Sequence, residues 1–290
     1  MKKLIINADD FGLSRSINRG IIELFGKGAI TSTSLLVNMP GFEDALKLIK
    51  ENQSLCVGIH INVLRGKPIC PVEKVSSLCE GGFFRGKLFS LAFLPYINKK
   101  ILEEFAQECR AQIEKAISQG INITHMDSEK HIHLIQPFFS ILLKIAQEYS
   151  ISRIRCINES SYFRHAVFNP PYFLNKQLYA ASYLSFCSMK NRKLQGSYKF
   201  NSPDYFYGVS TTGNMTLENI TWALSNLRDG TTEFLCHPGY IDHEWQDYPL
   251  KRERYYINAT RHKELSLLAS PRVKELIKQQ GILLMPYREL

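Results

Sequence analysis

The chain has 290 residues, of which 44% are hydrophobic and 22% are charged. These are ordinary globular values, so they exclude a disordered, collagen-like or coiled-coil chain, and the length fits one large α/β domain or two smaller ones. The 36 Lys and Arg residues outnumber the 27 Asp and Glu residues, which gives a formal net charge of +9. Because the basic residues are dispersed along the chain, we expect no nucleic-acid partner.

Short apolar runs alternate with helical patterns along most of the chain. The first run, 3–8, predicts a strand, and the apolar spacing over 17–25 predicts a helix after it. The elements predicted next are strand 29–37, helix 42–50, strand 55–63, helix 101–119, strand 121–126, helix 137–149, and strands 154–157, 233–236 and 282–285. This alternation predicts an α/β fold with a mostly parallel sheet, either open or closed into a barrel.

One region interrupts this alternation. Residues 160–213 are rich in Tyr and Phe and include Pro170 and Pro171, but no linker separates them from the rest. We therefore predict a single domain over 1–290 with an aromatic-rich excursion packed on it. The apolar stretch 87–97, interrupted by Pro95, would cover a pocket or contact lipid.

The seven cysteines are odd in number, widely spaced and without a C-x-x-C pair. This pattern is typical of a reducing compartment, and no signal-peptide pattern or membrane-length apolar segment is present. The sequence therefore predicts a cytoplasmic protein without a transmembrane segment. It leaves open whether the chain forms a homo-oligomer.

Two adjacent acids, Asp9 and Asp10, follow the first predicted strand. Catalytic groups collect at the carboxyl ends of parallel strands, so one acid would bind a metal ion and the other would act as a general base. The alternative is a helix N-cap beside a solvated acid.

Histidines accumulate at two further strand ends. His60 lies in an apolar strand, where a lone histidine is commonly a satisfied core residue. The segment 124–133 adds three histidines and two acids within ten residues. The clustering could be chance. If it is not, a site with imidazole and carboxylate ligands suits zinc, iron, manganese or nickel, and a site with mostly oxygen ligands suits magnesium.

His237 stands at another strand end, before a Pro-Gly turn. In a barrel it would lie across the mouth from Asp9, where it could donate a proton, although a turn histidine is often only solvated. The remaining histidines, His165, His243 and His262, are expected at the surface. No G-x-S-x-G, Walker or G-x-G-x-x-G motif is present, so a metal-dependent hydrolase or lyase on an α/β scaffold remains.

Five segments in order carry a family resemblance: Asn7-Ala-Asp-Asp-Phe-Gly-Leu-Ser14, Thr31-Ser-Thr-Ser-Leu-Leu-Val-Asn38, Val57-Gly-Ile-His60, Thr124-His-Met-Asp-Ser128 and Cys236-His-Pro-Gly239. Together they resemble the YdjC-type carbohydrate deacetylases, which include chitooligosaccharide and hopanoid-associated deacetylases. The resemblance continues through Arg261-His-Lys-Glu-Leu265 and 281–284. It implies a distorted (β/α) TIM-like barrel that removes acetyl groups from N-acetylated sugars with one divalent cation, magnesium or zinc first, then manganese, cobalt or nickel.

The resemblance also implies roles for particular residues. Asp10 and His60 would bind the metal, Asp9 would be the general base, and His237 would protonate the leaving amine. The third family ligand is a histidine directly after the Asp-Ser pair, where this chain has Glu129. Glutamate can ligate and would make the site more oxygen-rich, favouring magnesium or manganese.

Other residues of the segment 124–133 are alternatives or neighbours of this site. His131 or His133 would replace Glu129 as a ligand by turning inward, since Glu129 and His133 share a face if the segment is helical. Otherwise these two histidines, with His125 and Asp127, would line the substrate or support the ligands.

The expected substrate is a small acetylated sugar or oligosaccharide. The basic surface and the stretch 87–97 are compatible with a lipid-linked or anionic sugar, and the aromatic excursion offers faces for stacking on sugar rings. Two other hypotheses are a phosphoesterase or related metal-dependent hydrolase and a catalytically silent carbohydrate-binding relative.

Overall fold

The computed structural model describes residues 1–86, 98–159, 176–241 and 259–290. Its strands are β1 (Lys2–Phe11), β2 (Ser32–Leu35), β3 (Cys56–Ile61), β4 (Cys79–Glu80), β5 (Phe83–Phe84), β6 (Met126–Ser128), β7 (Tyr205–Tyr207), β8 (Gly230–Cys236) and β9 (Leu283–Leu284). Its α-helices are α1 (Arg15–Gly26), α2 (Phe42–Glu51), α3 (Lys99–Ser118), α4 (Phe138–Glu148), α5 (Lys176–Ser197), α6 (Leu217–Ser225), α7 (Ala259–Leu268) and α8 (Pro271–Gln279). Short 3₁₀ helices lie at Val72–Val75, Glu129–Leu134 and Tyr287–Glu289.

The main sheet is parallel and curls around a polar interior. Its strand order is β6-β3-β2-β1-β8-β7, and β9 pairs with β1. The backbone of 153–158 lies between the two outer strands: Arg155 N–H donates to the Met126 carbonyl of β6, and Phe206 N–H of β7 donates to the Asn158 carbonyl. This irregular segment completes the distorted TIM-like barrel predicted above and carries Arg155 into its interior.

Helices cover the outside of the sheet through apolar faces. In α1 the Ser14 side chain accepts a hydrogen bond from Ile17 N–H and begins the helix. Buried Ile17, Ile21 and Leu24 recur at helical spacing on the face that joins the core. The alternation of elements seen in the sequence therefore has the expected physical cause, helices burying an apolar stripe on a parallel sheet.

Several predicted elements differ in extent from the structure. The strand predicted over 121–126 begins at Met126, although Thr124 N–H already donates to the Val57 carbonyl of β3. The aromatic-rich region contains α5 and β7, while 160–175 and the apolar stretch 87–97 lie outside the described residues. Within the described parts of the chain, no helix is long and apolar enough to cross a membrane.

Candidate active site

Three strands of the main sheet, β1, β3 and β6, deliver acids and an imidazole to one end of the barrel. Asp9 and Asp10 lie near the end of β1, His60 lies on β3, and Asp127 pairs with His60 in the β3–β6 ladder. Glu129 follows β6 directly. Within the described chain, two sets of donor atoms lie close enough to share an ion, with all atoms of a set within 4.8 Å of one another: Asp9, His60 and Asp127, and Asp10, His60 and Glu129.

A bulge explains how two adjacent acids serve the same site. Successive side chains of a regular strand point to opposite faces, so Asp9 and Asp10 would normally diverge. The β1–β2 register shifts between Ala8 and Phe11, and Asp10 adopts a left-handed backbone with φ of 72°. Gly12, at φ 87°, continues the turn, and a Cβ there would meet the Leu36 carbonyl oxygen at 2.5 Å.

An inner cluster, defined as Arg155, Asp9, Asp127 and Glu233, forms the floor of the site. Arg155 donates to both Asp9 oxygens at 2.7 Å, lies 2.8 Å from Asp127 Oδ2, and donates from Nε to Glu233 Oε1 at 2.8 Å. Burial raises the pKa of Glu233 to about 7, against the lowering effect of Arg155. One guanidinium therefore orients three buried carboxyl groups.

His60 joins this floor to the outer part of the site. Its Nδ1 lies 2.7 Å from Asp127 Oδ1, and its Nε2 lies 3.7 Å from Glu129 Oε2. Burial alone would lower the pKa of His60, but the charges of Asp127 and Asp9 outweigh it and raise that pKa well above its usual value. With Nδ1 bonded to Asp127, Nε2 is the nitrogen that a cation would use, and the cation would replace its proton.

An outer cluster, defined as Arg65, Arg261, Asp10 and Glu129, lies above the floor. Arg65 Nη2 is 2.7 Å from Asp10 Oδ1 and also contacts Glu129 Oε2, while Arg261 Nη2 contacts Asp10 Oδ2. Burial favours the neutral form of Asp10, but the two guanidinium groups prevail and hold its pKa well below the usual range. Burial likewise opposes ionisation of Glu129, but the charge of Arg65 lowers its pKa, so both acids are paired with guanidinium groups that favour their ionised forms.

The position of His237 differs from the one predicted. We expected it across the barrel mouth from Asp9, but β8 pairs directly with β1, with Cys236 opposite Ala8, so His237 follows the strand next to the one that carries Asp9. Its backbone N–H donates to Glu264 Oε2 at 2.6 Å, and its side chain is half-buried. Gly20 allows α1 to approach this turn, since a Cβ there would lie 2.8 Å from Gly239 Cα.

The three histidines of the segment 124–133 have different surroundings. His125 is buried and stacks on Tyr287 at a centroid distance of 3.8 Å, and burial lowers its pKa to about 3. His133 Nδ1 lies 2.7 Å from Ser128 Oγ, and its Nε2 donates to the Arg155 carbonyl at 3.0 Å. Both rings therefore have structural partners below the site.

The helical arrangement considered for Glu129 and His133 was wrong. Lys130 and His131 have φ values of 49° and 55°, which interrupt the helical backbone between Glu129 and His133. His131 is 8% exposed, meets Phe206 edge-on, and its Nδ1 has no hydrogen-bond partner among the described residues. Of the other histidines, His262 is exposed as predicted, and His165 and His243 lie outside the described residues.

The donor types at this site fit a divalent cation. Asp10 and Glu129 offer carboxylate oxygens, and His60 offers an imidazole nitrogen whose orientation Asp127 fixes. Arg65, however, contacts the same two carboxylates. A cation and this guanidinium group would therefore bind the same carboxylate oxygens.

Sequence reasoning missed the arginines that organise both clusters. Arg65 and Arg155 carry no motif of their own in a chain with 36 basic residues, and Glu233 lies inside an apolar strand. The only local signal was an acid in a fully buried strand, which needs a cationic or hydrogen-bonding partner. Arg261 belongs to the segment that carried the family resemblance, but no role was predicted for it.

Comparison with known proteins gives a consistent result. A family model described as YdjC-like protein matches residues 3–279. The carbohydrate deacetylase of Clostridium beijerinckii is 31% identical over 99% of this chain and 100% of its own length. The chitooligosaccharide deacetylase of Proteus mirabilis is 29% identical over 99% of this chain and 98% of its own.

A solved structure shares the fold. It comes from Enterococcus faecalis V583, from a protein named for cellobiose-phosphate cleavage, and has a TM-score of 0.71 and 27% identity over 99% of this chain and 98% of that chain. The resemblance found in the sequence motifs is thereby confirmed. With the family model matching from residue 3 to residue 279, this chain belongs to the YdjC-like protein family.

Proposed function

We propose that this chain is a metal-dependent carbohydrate N-deacetylase, which hydrolyses the acetamide of an N-acetylated sugar or oligosaccharide. The observation that carries the proposal is the Asp10, His60 and Glu129 donor set beside Asp9 and His237 at one end of the barrel. The names of the relatives support the reaction and the sugar substrate. The Asp10, His60 and Glu129 donor set supports the proposed dependence on a metal ion.

In this proposal Asp10, His60 and Glu129 hold one divalent cation. A cation held there would lower the pKa of a water molecule and supply positive charge for the carbonyl oxygen. Asp9 takes a proton from the water that attacks the acetyl carbonyl. The two bonds from Arg155 and one from Asn7 Nδ2 at 2.8 Å fix the Asp9 carboxylate in one orientation for this step.

His237 then protonates the leaving amine. An amine departs from the tetrahedral species only after it gains a proton, so a proton donor is needed beside the base. His237 meets this need because it directly follows β8, the strand paired with the one that carries Asp9, and its side chain is half-buried. The bond from its backbone N–H to Glu264 holds the turn that carries it.

A phosphoesterase is the second candidate. Arg65 and Arg261 lie on either side of Asp10, and guanidinium groups suit phosphate oxygens. The name of the Enterococcus faecalis relative also refers to a sugar phosphate. We therefore include phosphorylated sugars in the test.

The test measures acetate and phosphate release from N-acetylated sugars, chitooligosaccharides and their phosphorylated forms. The protein is stripped of metal and then resupplied separately with magnesium, manganese, zinc, cobalt or nickel. We expect acetate release that returns with a cation. Phosphate release without acetate would select the second candidate, and sugar binding without either product would indicate a silent relative.

Matched variants assign the two proton carriers. Asp9→Asn should lower turnover by about a hundredfold or more, since general-base catalysis contributes a factor of about 10² to 10⁴. The exposed Asp229→Asn is its control. Equal turnover of the Asp9→Asn and Asp229→Asn variants would show that Asp9 is not the base.

A further inference from the structure

Arg65 occupies the part of the site that a cation would need. Its Nη2 atom lies 2.7 Å from Asp10 Oδ1 and contacts Glu129 Oε2. Asp10 and Glu129 are two of the three residues of the Asp10, His60 and Glu129 donor set. The side chain of Arg65 is only 3% exposed, so it is enclosed in the site and does not extend into solvent.

The loop after β3 holds the backbone of Arg65 firmly. Asn62 Oδ1 accepts from Arg65 N–H at 2.9 Å, and Asn62 Nδ2 donates to the Arg65 carbonyl at 3.0 Å. Gln112 of α3 fixes Asn62 in turn through both backbone groups, at 3.0 and 2.7 Å. This framework directs the guanidinium into the site.

The oxygens of Asp10 are divided between two arginines. Arg261 contacts Oδ2, and Arg65 contacts Oδ1, so each oxygen already faces a positive charge. Glu129 Oε2 faces Arg65 and His60. Two neighbouring buried carboxylates need positive charge to remain ionised, and Arg65 provides it for both.

We propose that Arg65 is an internal counter-cation that competes with the divalent cation for Asp10 and Glu129, so that metal binding requires Arg65 to leave these two carboxylates. The inference rests on the cation site of the proposed function, which it deepens. It makes the resident guanidinium a determinant of metal affinity, since every contact that Arg65 makes with the two acids opposes the metal. The bridge also holds Glu129, the residue that replaces the family's third ligand.

Metal binding without substrate tests this inference. Manganese is titrated into the metal-stripped wild type, Arg65→Gln and the control Lys67→Gln, and bound and free Mn²⁺ are measured by electron paramagnetic resonance. We expect Arg65→Gln to bind Mn²⁺ at least about tenfold more tightly than the wild type, which corresponds to about 1.4 kcal/mol of relieved competition. Lys67 is exposed in the same loop, so its variant should match the wild type.

A second variant and a second measurement guard against misfolding. Arg65→Lys keeps the charge but lacks the planar fork, so it should bind Mn²⁺ more tightly than the wild type and less tightly than Arg65→Gln. Thermal unfolding should show a larger rise of Tm on adding Mn²⁺ to Arg65→Gln than to the wild type, because at a fixed Mn²⁺ concentration the stabilisation grows with the logarithm of the affinity. If Arg65→Gln does not fold, the Mn²⁺ affinity of Arg65→Lys, compared with that of the wild type, decides whether Arg65 competes with the cation.

The results separate this inference from the proposed activity. Equal or weaker Mn²⁺ binding by the Arg65 variants overturns the competition, whatever the acetate assay shows. If neither the wild type nor any variant binds Mn²⁺, the inference is overturned as well, because there is then no cation with which Arg65 could compete. Tighter binding supports it even in a protein that releases no acetate.

Discussion

The inner and outer clusters are both built around arginine, but they differ in charge balance and enclosure. In the inner cluster one arginine faces three carboxyl groups, and the side chains of Arg155, Asp127 and Glu233 are 0% exposed. In the outer cluster two arginines face two carboxylates, and the exposed fractions are 3 to 6%. The inner cluster therefore suits a fixed support, and the outer cluster suits an exchange of cations.

His60 links the two clusters, because its two ring nitrogens face Asp127 and Glu129. The inner cluster fixes the orientation of the ring, and the outer cluster contains the acids that would share a cation with it. Removing Arg155 or Glu233 from the inner cluster should damage stability first, while changing the outer cluster should alter ligand binding first. The following predictions test that division.

The largest loss of stability is expected from Arg155→Met. The change leaves Asp9, Asp127 and Glu233 buried without their shared cation, and breaking a buried ion pair from one side costs about 3–5 kcal/mol. Urea unfolding at pH 7 measures the loss. The adjacent, part-exposed Arg153→Met is the control, and equal losses for both variants would contradict a special role for the inner cluster.

His237→Ala should reduce turnover by about 10² to 10⁴, the usual contribution of a general acid, and leave metal content near that of the wild type. His237 lies at the end of β8 and belongs to neither cluster. Acetate release and metal content are measured on the same samples, with the exposed His262→Ala as the matched control. Equal loss of metal and turnover would show that His237 supports the cation site instead.

The pH dependence of stability should reveal Glu233. Its pKa is raised from the usual 4.5 to about 7 in the folded protein, mainly by burial, so the folded state holds its proton more tightly than the unfolded state. This contribution to stability is complete below about pH 4.5 and is lost as the pH rises through 7. The wild type should therefore lose about 1–3 kcal/mol more than Glu233→Gln between pH 5 and 8.5, from about 1.4 kcal/mol per pKa unit discounted for coupling.

Urea unfolding of the wild type and Glu233→Gln across this pH range makes the measurement. Both proteins retain His60, whose raised pKa adds a further loss of stability at higher pH in each. The difference between them therefore isolates Glu233. Parallel pH profiles would mean that Glu233 is ionised throughout and that Arg155 compensates all three acids.

The smallest effect is expected from Tyr287→Phe. The Tyr287 hydroxyl donates to Glu233 Oε2 behind the inner cluster, and the ring stacks on His125. Losing one hydrogen bond while keeping the ring should cost about 1 kcal/mol of stability, with turnover unchanged. A large loss of turnover, measured by acetate release, would instead show that Tyr287 contributes to catalysis.

Much of the fold could be predicted from local sequence patterns. The apolar run before Asp9 and the helical spacing from Ile17 gave β1 and α1, because a buried parallel strand and an amphipathic helix have distinct periods. The strand predicted over 154–157 forms only an isolated bridge, at Ile154, with a second one at the preceding Arg153. Its position depends on the barrel closing around it.

The site was only partly predictable. Strand ends pointed to Asp9, Asp10 and the segment 124–133, because parallel topology collects such residues at one edge, and the family resemblance singled out His60 and Glu129. The bulge at Asp10 depends on pairing with β2, and the bridge from Arg65 to Asp10 joins residues 55 positions apart, which no local pattern records. The sequence therefore identified the acids and the imidazole, while their counter-charges required the structure.

The most direct test of the proposed activity is acetate release from a chitooligosaccharide by the metal-stripped protein, before and after a divalent cation is restored. We predict no acetate without the cation, acetate with it, and loss of that acetate in Asp9→Asn but not in Asp229→Asn. A folded protein that releases no acetate from any N-acetylated sugar with any of the five cations would contradict the proposal.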